Sequence, residues 1–252
     1  MTRPHHIARC DEYDVSVIVP CYNEAPILEQ SLRDLRWVMG QTSYRWELIA
    51  IDDASCDETP RLLERLLADR PDTRVILHRS NLGRGGTVME GLALARGRYA
   101  GYLDIDLEVH ARYLPSMILA MDKESYDVAT AKRLYHVPIR LDDMFRNVLS
   151  LGYRQLVRHY LRLPFEDTET GFKFFRREAI LPLLSGIRSQ GWFWDTEIMA
   201  ASYFAKLRVA EIPSLFVRQT IRPSTVRPWR DSLAYCGAIR SFKRRMRAEG
   251  RY

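Results

Sequence analysis

Two carboxylates separated by one residue, Asp104-Ile105-Asp106, end an apolar run, and that spacing lets a short loop turn both toward one ion. Hard carboxylate oxygens suit Mg²⁺ or Mn²⁺, cations that keep positions open for the oxygens of a diphosphate. Glu108 is near enough to add a third ligand; the alternative for all three is a solvated turn. A second cluster, Gly83-Arg84-Gly85-Gly86, follows Asn81 and precedes a helical segment. Unhindered backbone N–H groups, a positive helix end and a mobile guanidinium suit a phosphate there, although a plain turn accounts for the glycines as well. The cluster is neither a Walker A sequence nor G-x-G-x-x-G, which argues against a P-loop kinase or a dinucleotide enzyme. Asp52-Asp53 end another apolar run, where they either accept hydrogen bonds from a base N–H and ribose hydroxyls or cap the next helix.

These groups need a frame. Val15-Ser16-Val17-Ile18-Val19-Pro20 is a β-branched run ended by proline, and a helix follows with Pro26 near its first turn and Ile27, Leu28, Leu32 and Leu35 at helical spacing. Trp46 to Ile51 reads as the next strand, after which Asp57 caps a helix carrying Leu62, Leu63, Leu66 and Leu67. A strand at Val75-Ile76-Leu77, a helix from Thr87 to Arg96 and a strand from Tyr99 to Leu103 continue the alternation, which means βαβ units and a mostly parallel sheet. Further on lie a strand from Asp127 to Ala131, an amphipathic core segment from Leu141 to Leu161, helices from Arg177 to Leu184 and from Trp194 to about Ala205, and a strand near Val209 to Val217. Each polar cluster follows the carboxyl end of a strand or opens the next helix. In an open parallel sheet those ends share one edge, so the clusters are expected to converge on one site.

With 252 residues and 46% apolar content, the chain has enough surface to bury a proper core, which excludes disorder for most of it. The longest nearly apolar stretch, Leu114 to Met121, falls far short of the roughly 18 residues that span a bilayer, so a soluble or peripheral protein is expected. Cys10, Cys21, Cys56 and Cys236 are scattered and read as reduced thiols of a cytosolic protein; the polar segment Met1 to Asp14 lacks the character of a secretory signal. The net charge of +6 is unevenly placed: residues 218–252 hold ten basic side chains against Asp231 and Glu249. A helix from about Pro228 to Arg247, with Trp229, Leu233, Tyr235, Ile239, Phe242 and Met246 as its apolar component, has two readings. It lies on an anionic membrane, or it docks on the domain and exposes a solvated basic face. The chain thus divides into an extension (1–14), one α/β domain (15–227) and a basic amphipathic tail (228–252).

Val17-Ile18-Val19-Pro20-Cys21-Tyr22-Asn23-Glu24, Asp52-Asp53-Ala54-Ser55, Asn81 to Gly86, Asp104-Ile105-Asp106, Asp167-Thr168-Glu169-Thr170-Gly171-Phe172-Lys173 and Trp194-Asp195-Thr196-Glu197 occur in the order seen in family 2 glycosyltransferases. Within that family the chain most resembles the dolichyl- or polyprenyl-phosphate mannosyl- and glucosyltransferases, from about Val15 to Arg230. The resemblance implies a GT-A (Rossmann-like) fold, a mixed, mostly parallel sheet flanked by helices, with a UDP- or GDP-sugar donor and Mg²⁺ or Mn²⁺. Carried over by position, Pro20, Tyr22 and Glu24 line the nucleotide pocket, Asp52 and Asp53 hold base and ribose, and Arg84 lies near phosphate. Asp104 and Asp106 bind diphosphate and metal, with Glu108 where relatives often carry a Gln ligand. Arg133 matches an arginine that touches donor or acceptor phosphate, and Asp167 with the Asp195/Glu197 pair shapes the sugar and acceptor site.

The resemblance further implies direct, inverting displacement at the anomeric carbon. A lipid-phosphate acceptor is already anionic and needs no strong base; a hydroxyl acceptor needs a carboxylate, for which Asp195 and Glu197 are the first candidates. Lipid-phosphate relatives usually carry an Arg and then Gly-x-Ser-Lys after the last strand. Here Ser224 is kept, Arg222 replaces the Gly and Thr225 the Lys, with Arg222 and Arg227 placed to supply charge. The expected partners are a nucleotide-sugar, a polyprenyl phosphate and an anionic membrane surface at the cytoplasmic face, with no nucleic acid. The alternatives are a soluble or glycan hydroxyl acceptor with the same donor, and a noncatalytic sugar-nucleotide-binding subunit.

Overall fold

The computed structural model describes residues 12–135, 152–218, 228–248 and 250, and for 228–234 and 236 the backbone alone. Its first half alternates as the sequence pattern requires: β1 (Tyr13–Cys21), α1 (Ala25–Gly40), β2 (Trp46–Asp52), α2 (Thr59–Leu67), β3 (Thr73–Leu77), α3 (Arg84–Leu94) and β4 (Gly97–Leu103). Then come α4 (Leu114–Lys123), β5 (Val128–Tyr135), a helix over 152–161 (α5), β6 (Phe172–Arg176), α6 (Arg177–Leu184), α7 (Trp194–Phe204), β7 (Val209–Phe216) and α8 (Pro228–Ala248). The strands form one sheet in the order β3-β2-β1-β4-β6-β5-β7. β1 pairs in parallel with β2 and β4, β2 with β3, and β5 with β7, while β6 runs antiparallel between β4 and β5.

Alternation of side chains along each strand builds two apolar layers. Val15, Val17 and Val19 of β1 face a core shared with Leu28, Leu32 and Leu35 of α1, Leu63 and Leu67 of α2, and Met117, Ile118 and Met121 of α4. Ile18 points the other way and joins Ile49 and Ile51 of β2, Val88 and Leu92 of α3, Ile180 of α6, and Ile198 and Met199 of α7. A sheet buried on both faces explains why β1 and β2 read as continuous apolar runs.

Three expectations are adjusted. The strand β6 carries no turn signal of its own before it, and its buried run Phe172-Lys173-Phe174-Phe175 is hydrogen-bonded on both sides. Of the amphipathic segment, 141–151 lies outside the described residues, and in α5 Val157 and Leu161 are buried whereas Leu156 and Tyr160 are exposed. The apolar stripe of α8 is used by the domain itself: Tyr235, Ile239, Phe242 and Met246 are buried in the layer that holds α3 and α7. Arg240, Arg244 and Arg247 remain exposed on the outer side. Among the described residues no helix is long and apolar enough to cross a membrane.

Candidate functional site

Because β6 is antiparallel to both neighbours, β5 runs parallel to β4, and the carboxyl ends of β1, β2, β4, β5 and β7 share one edge with the start of β6. That edge brings together the turns at Tyr22 to Glu24, Asp52 to Ser55 and Asp104 to Glu108, the end of β5 at Arg133, and the segment from Asp167 to Gly171. The backbone is locally strained there. Asn23, Ala54 and Leu107 hold left-handed φ values of 56°, 60° and 51°, a conformation that costs a side-chain-bearing residue about 1 kcal/mol or more.

At the β2 end, Asp52 and Asp53 take different roles. Asp52 receives the Ser55 N–H on Oδ2 at 3.0 Å, and its buried Oδ1 has no partner. An unpartnered buried acceptor is costly unless something donates to it, which suits a ligand N–H or hydroxyl. Asp53 is instead consumed by the protein. It accepts the backbone N–H groups of Leu82 (2.8 Å) and Gly83 (3.0 Å) and contacts His78 Nδ1 at 2.9 Å. Asp53 therefore shapes the loop 81–83 from within the site edge. Glu24 is buried at the start of α1, while Tyr22 is 41% exposed at the rim and Pro20 is half-buried in β1.

The glycine cluster does not offer a ring of free amides. Gly85 N–H donates to the Gln190 carbonyl at 2.7 Å, Gly86 N–H shares that carbonyl at 3.4 Å, and Gly83 N–H is held by Asp53. The glycines serve close approach: a Cβ on Gly85 would sit 2.5 Å from Trp194 Cβ, and one on Gly83, at φ +79°, 2.7 Å from Gln190 O. The charged group of the cluster is the side chain of Arg84, the first residue of α3. Its guanidinium donates to Asp104 Oδ1 (Nε 2.8 Å, with Nη2 2.7 Å away) and to Asp195 Oδ2, beneath the rings of Tyr102 and Trp192.

Asp195 also accepts from the Tyr102 hydroxyl and from Lys173 Nζ at 2.8 Å. Lys173, fully buried in β6, further donates to the Thr170 carbonyl. Burial lowers its pKa, against the pull of Asp195. Sequence reasoning assigned no role to Lys173 or Tyr102, although a single lysine inside an aromatic run was a signal available there. Asp104 is pushed up to about 6: burial raises it, Arg84 opposes, and the charges of Asp106 and Asp195 add to the rise. Carboxylates that repel each other at a buried strand end fit a divalent cation, which would relieve the repulsion. Asp104 and Asp106 supply hard oxygens of the right type. Among the described residues no group of three His, Cys, Asp or Glu side chains is already gathered around a cation position, and Glu108, two residues beyond Asp106, is partly exposed on the same turn. The Asp104 carboxylate occupies the space a Cβ on Gly171 would need, which accounts for glycine at that position.

The Asp195/Glu197 pair does not act as one unit. Two residues apart on a helix they point about 200° apart, and Glu197 accepts the N–H groups of Arg188 (3.2 Å) and Ser189 (2.8 Å) together with Arg245 of α8. These contacts tie Glu197 to the loop that carries Gln190. Asp195, with three cationic or hydroxyl donors, is committed likewise. At the β5 end Arg133 and Asp167 pair with each other: Arg133 Nε and Nη2 meet the two Asp167 oxygens at 2.8 and 2.9 Å. Arg154 of α5, unassigned in the sequence reading, adds a 2.6 Å bond to Asp167 and packs over Tyr135. Burial raises the Glu169 carboxyl, which lies 3.7 Å from Arg133. Arg222, Ser224 and Arg227 fall outside the described residues.

A mixed, mostly parallel sheet with acidic strand ends and buried arginines at one edge is the architecture of GT-A glycosyltransferases. Residues 16–183 match the model of Glycosyl transferase family 2, and the chain belongs to that family. Over 204 residues it is 36% identical to the glycosyltransferase AglD of Haloferax volcanii, covering 79% of this chain and 32% of that protein. It is 28% identical over 222 residues to the dolichyl-phosphate beta-glucosyltransferase of Saccharomyces cerevisiae, covering 81% and 66%. The chain thus spans a third to two thirds of these relatives' length. Glucosyl-3-phosphoglycerate synthase of Mycobacterium tuberculosis, crystallised with Mn²⁺, UDP and glucosyl-3-phosphoglycerate, shares the fold with a TM-score of 0.63 at 18% identity, over 88% of this chain and 75% of that one.

Proposed function

We propose that the chain transfers a sugar from a nucleotide-diphospho-sugar to a polyprenyl phosphate, with inversion at the anomeric carbon. The observation that carries this reading is the linked group of Arg84, partly exposed Asp104 and buried Asp195 at the strand edge beside Asp106. A divalent cation shared by Asp104, Asp106 and the donor diphosphate would neutralise the charge that grows on the leaving nucleoside diphosphate. Arg84 stands next to the same oxygens and adds a fixed positive charge, which costs no reorganisation as the bond breaks. Asp52 receives a donor group of the nucleoside through its unpartnered Oδ1. Relatives named as dolichyl-phosphate beta-glucosyltransferases support a lipid-phosphate acceptor. The commitment of Asp195 and Glu197 to other partners supports it too, since an anionic phosphate oxygen attacks without a base. Arg133 at the β5 end is the described residue proposed to meet that acceptor.

The protein is proposed to work peripherally at the cytoplasmic face of a membrane. With the apolar stripe of α8 buried, attraction to anionic lipid comes from Arg240, Arg244 and Arg247 and is therefore salt-sensitive. The test incubates the full chain with radiolabelled UDP-glucose or GDP-mannose, Mg²⁺ or Mn²⁺, and polyprenyl phosphate in detergent. Label passing into the organic phase only with cation and lipid phosphate supports the reading. Label transferred to a hydroxyl acceptor but never to the lipid overturns its acceptor half; donor binding without any transfer would point to the noncatalytic alternative.

A further inference from the structure

His78 follows β3 with a side chain 8% exposed, and no part of the proposed transfer uses it. Its ring nitrogens both face carboxylates: Nδ1 lies 2.9 Å from Asp53 Oδ1 and Nε2 lies 2.8 Å from Glu90 Oε2 of α3. An ionised carboxylate only accepts hydrogen bonds, so satisfying both contacts requires both ring nitrogens to donate, which is the imidazolium form. The charged groups facing the ring are Asp53 at the β2 end and Glu90 on α3. Burial alone lowers the imidazole pKa, but hydrogen bonds to Asp53 and Glu90 outweigh it and hold the group above its ordinary value.

The position of this pair gives it consequence. Asp53 receives the N–H groups of Leu82 and Gly83, the last two residues before Arg84. An anion drawn to Arg84 at the end of this loop would feel the charge of the Asp53 carboxylate, itself 5% exposed and bonded to the loop. With His78 charged, that carboxylate is balanced. With His78 neutral, one N–H is lost and the negative charge of Asp53 stands uncompensated beside the anion.

We propose that His78 is a positioning residue that, as imidazolium, balances Asp53 beneath the loop 81–84, so that binding of the nucleotide-sugar diphosphate weakens as pH rises. The inference rests on the proposed reading that Arg84, which this loop positions, meets the donor diphosphate. His78 touches neither substrate nor cation; it acts through Asp53.

The experiment measures Kd for UDP-glucose and for GDP-mannose with Mg²⁺ by calorimetry between pH 5.5 and 9, because the diphosphate diesters of these probes do not titrate in that range. Wild type, His78→Gln and Glu90→Gln are compared, and the His78 imidazole is titrated by NMR in the absence of nucleotide. Wild type is expected to bind about three- to tenfold more weakly at high pH, a Coulombic effect of one charge at partly buried range. The midpoint should coincide with the NMR titration of His78. In Glu90→Gln, which removes a half-exposed carboxylate, both midpoints move together to lower pH while affinity at the acid end stays within about twofold. His78→Gln loses this step and keeps only the opposite change that ionisation of Asp104, pushed up to about 6, imposes on all three proteins. A binding profile identical in all three proteins, or a His78 ring already neutral at pH 6, overturns the proposal. Failure of both nucleotide-sugars to bind at any pH overturns the donor reading instead, and the coupling with it.

Discussion

The two halves of the site edge handle charge in opposite ways. At the ends of β2 and β4, Asp52 keeps an unpartnered buried oxygen and Asp104 is crowded by Asp106 and Asp195. At the end of β5, Asp167 is met by Arg133, Arg154 and the Glu169 N–H, and its pKa is lowered because the two guanidiniums outweigh its burial. The first half holds charge arrangements that the proposed donor would complete; in the second Asp167 is already satisfied within the chain, and only its partner Arg133 is proposed to reach a ligand. Electrostatic strain in the free protein marks where binding energy is gained, whereas saturation marks a frame.

Neutralising one carboxylate in each half is the sharpest test of this contrast. Asp104→Asn removes a charge that Asp106 and Asp195 repel and, on the proposed reading, an anionic oxygen that would hold the cation. Transfer activity is expected to fall by about 100-fold or more, with the thermal midpoint unchanged or raised. Asp167→Asn leaves Arg133 and Arg154 buried with no full counter-charge, and breaking a buried pair of this kind costs about 3 to 5 kcal/mol. Urea unfolding reads that loss. If Asp104→Asn proves the more destabilising of the two, the distinction between the halves fails.

A smaller effect separates frame from site on the far side of α7. Arg245 meets Glu197, which holds the N–H groups of Arg188 and Ser189, and Gln190 next in line caps the start of α3. Arg245→Gln leaves Glu197 two backbone donors and is expected to cost about 1 to 3 kcal/mol. If the chain of contacts positions Arg84, the variant also raises the KM for donor without a matching fall in kcat. A loss of kcat alone would place α8 outside the donor half altogether.

The same division governed what could be read from residues in order. Asp52 and the Asp104/Asp106 pair sit at predictable strand ends and Arg84 opens the helix after β3, because parallel βαβ units put every carboxyl end and the helix start that follows it on one edge. The free amides expected at Gly83 to Gly86 were not found, since Gln190 lies more than a hundred residues away and its carbonyl leaves no mark in the local pattern. Arg154, Lys173 and Arg245 were missed for the same reason: each acts through a partner supplied by a distant element. β6 went unassigned because an antiparallel strand buried on both faces breaks the strand-helix alternation without a hairpin turn to announce it. The helix period of α8 was legible, but whether its stripe met lipid or protein depended on the apolar layer of α3 and α7.

The smallest expected effect joins the two kinds of charge. His78 is buried like a frame residue, yet its pKa is raised by Asp53 and Glu90, so it contributes to stability only while protonated. A group whose folded pKa exceeds its unfolded value of about 6.5 binds more protons in the native state, and stability then falls as pH climbs through the folded value. Its contribution is complete below about pH 6.5 and gone above the folded pKa. Asp167 behaves in the reverse sense: its depressed pKa contributes above the unfolded value of about 3.9 and is lost as pH falls through the folded one. Urea midpoints of wild type and His78→Gln should therefore differ most near pH 6 and converge toward pH 9. A difference that stays constant across that range would mean that packing of the ring, not its charge, is what β3 and α3 require at this position.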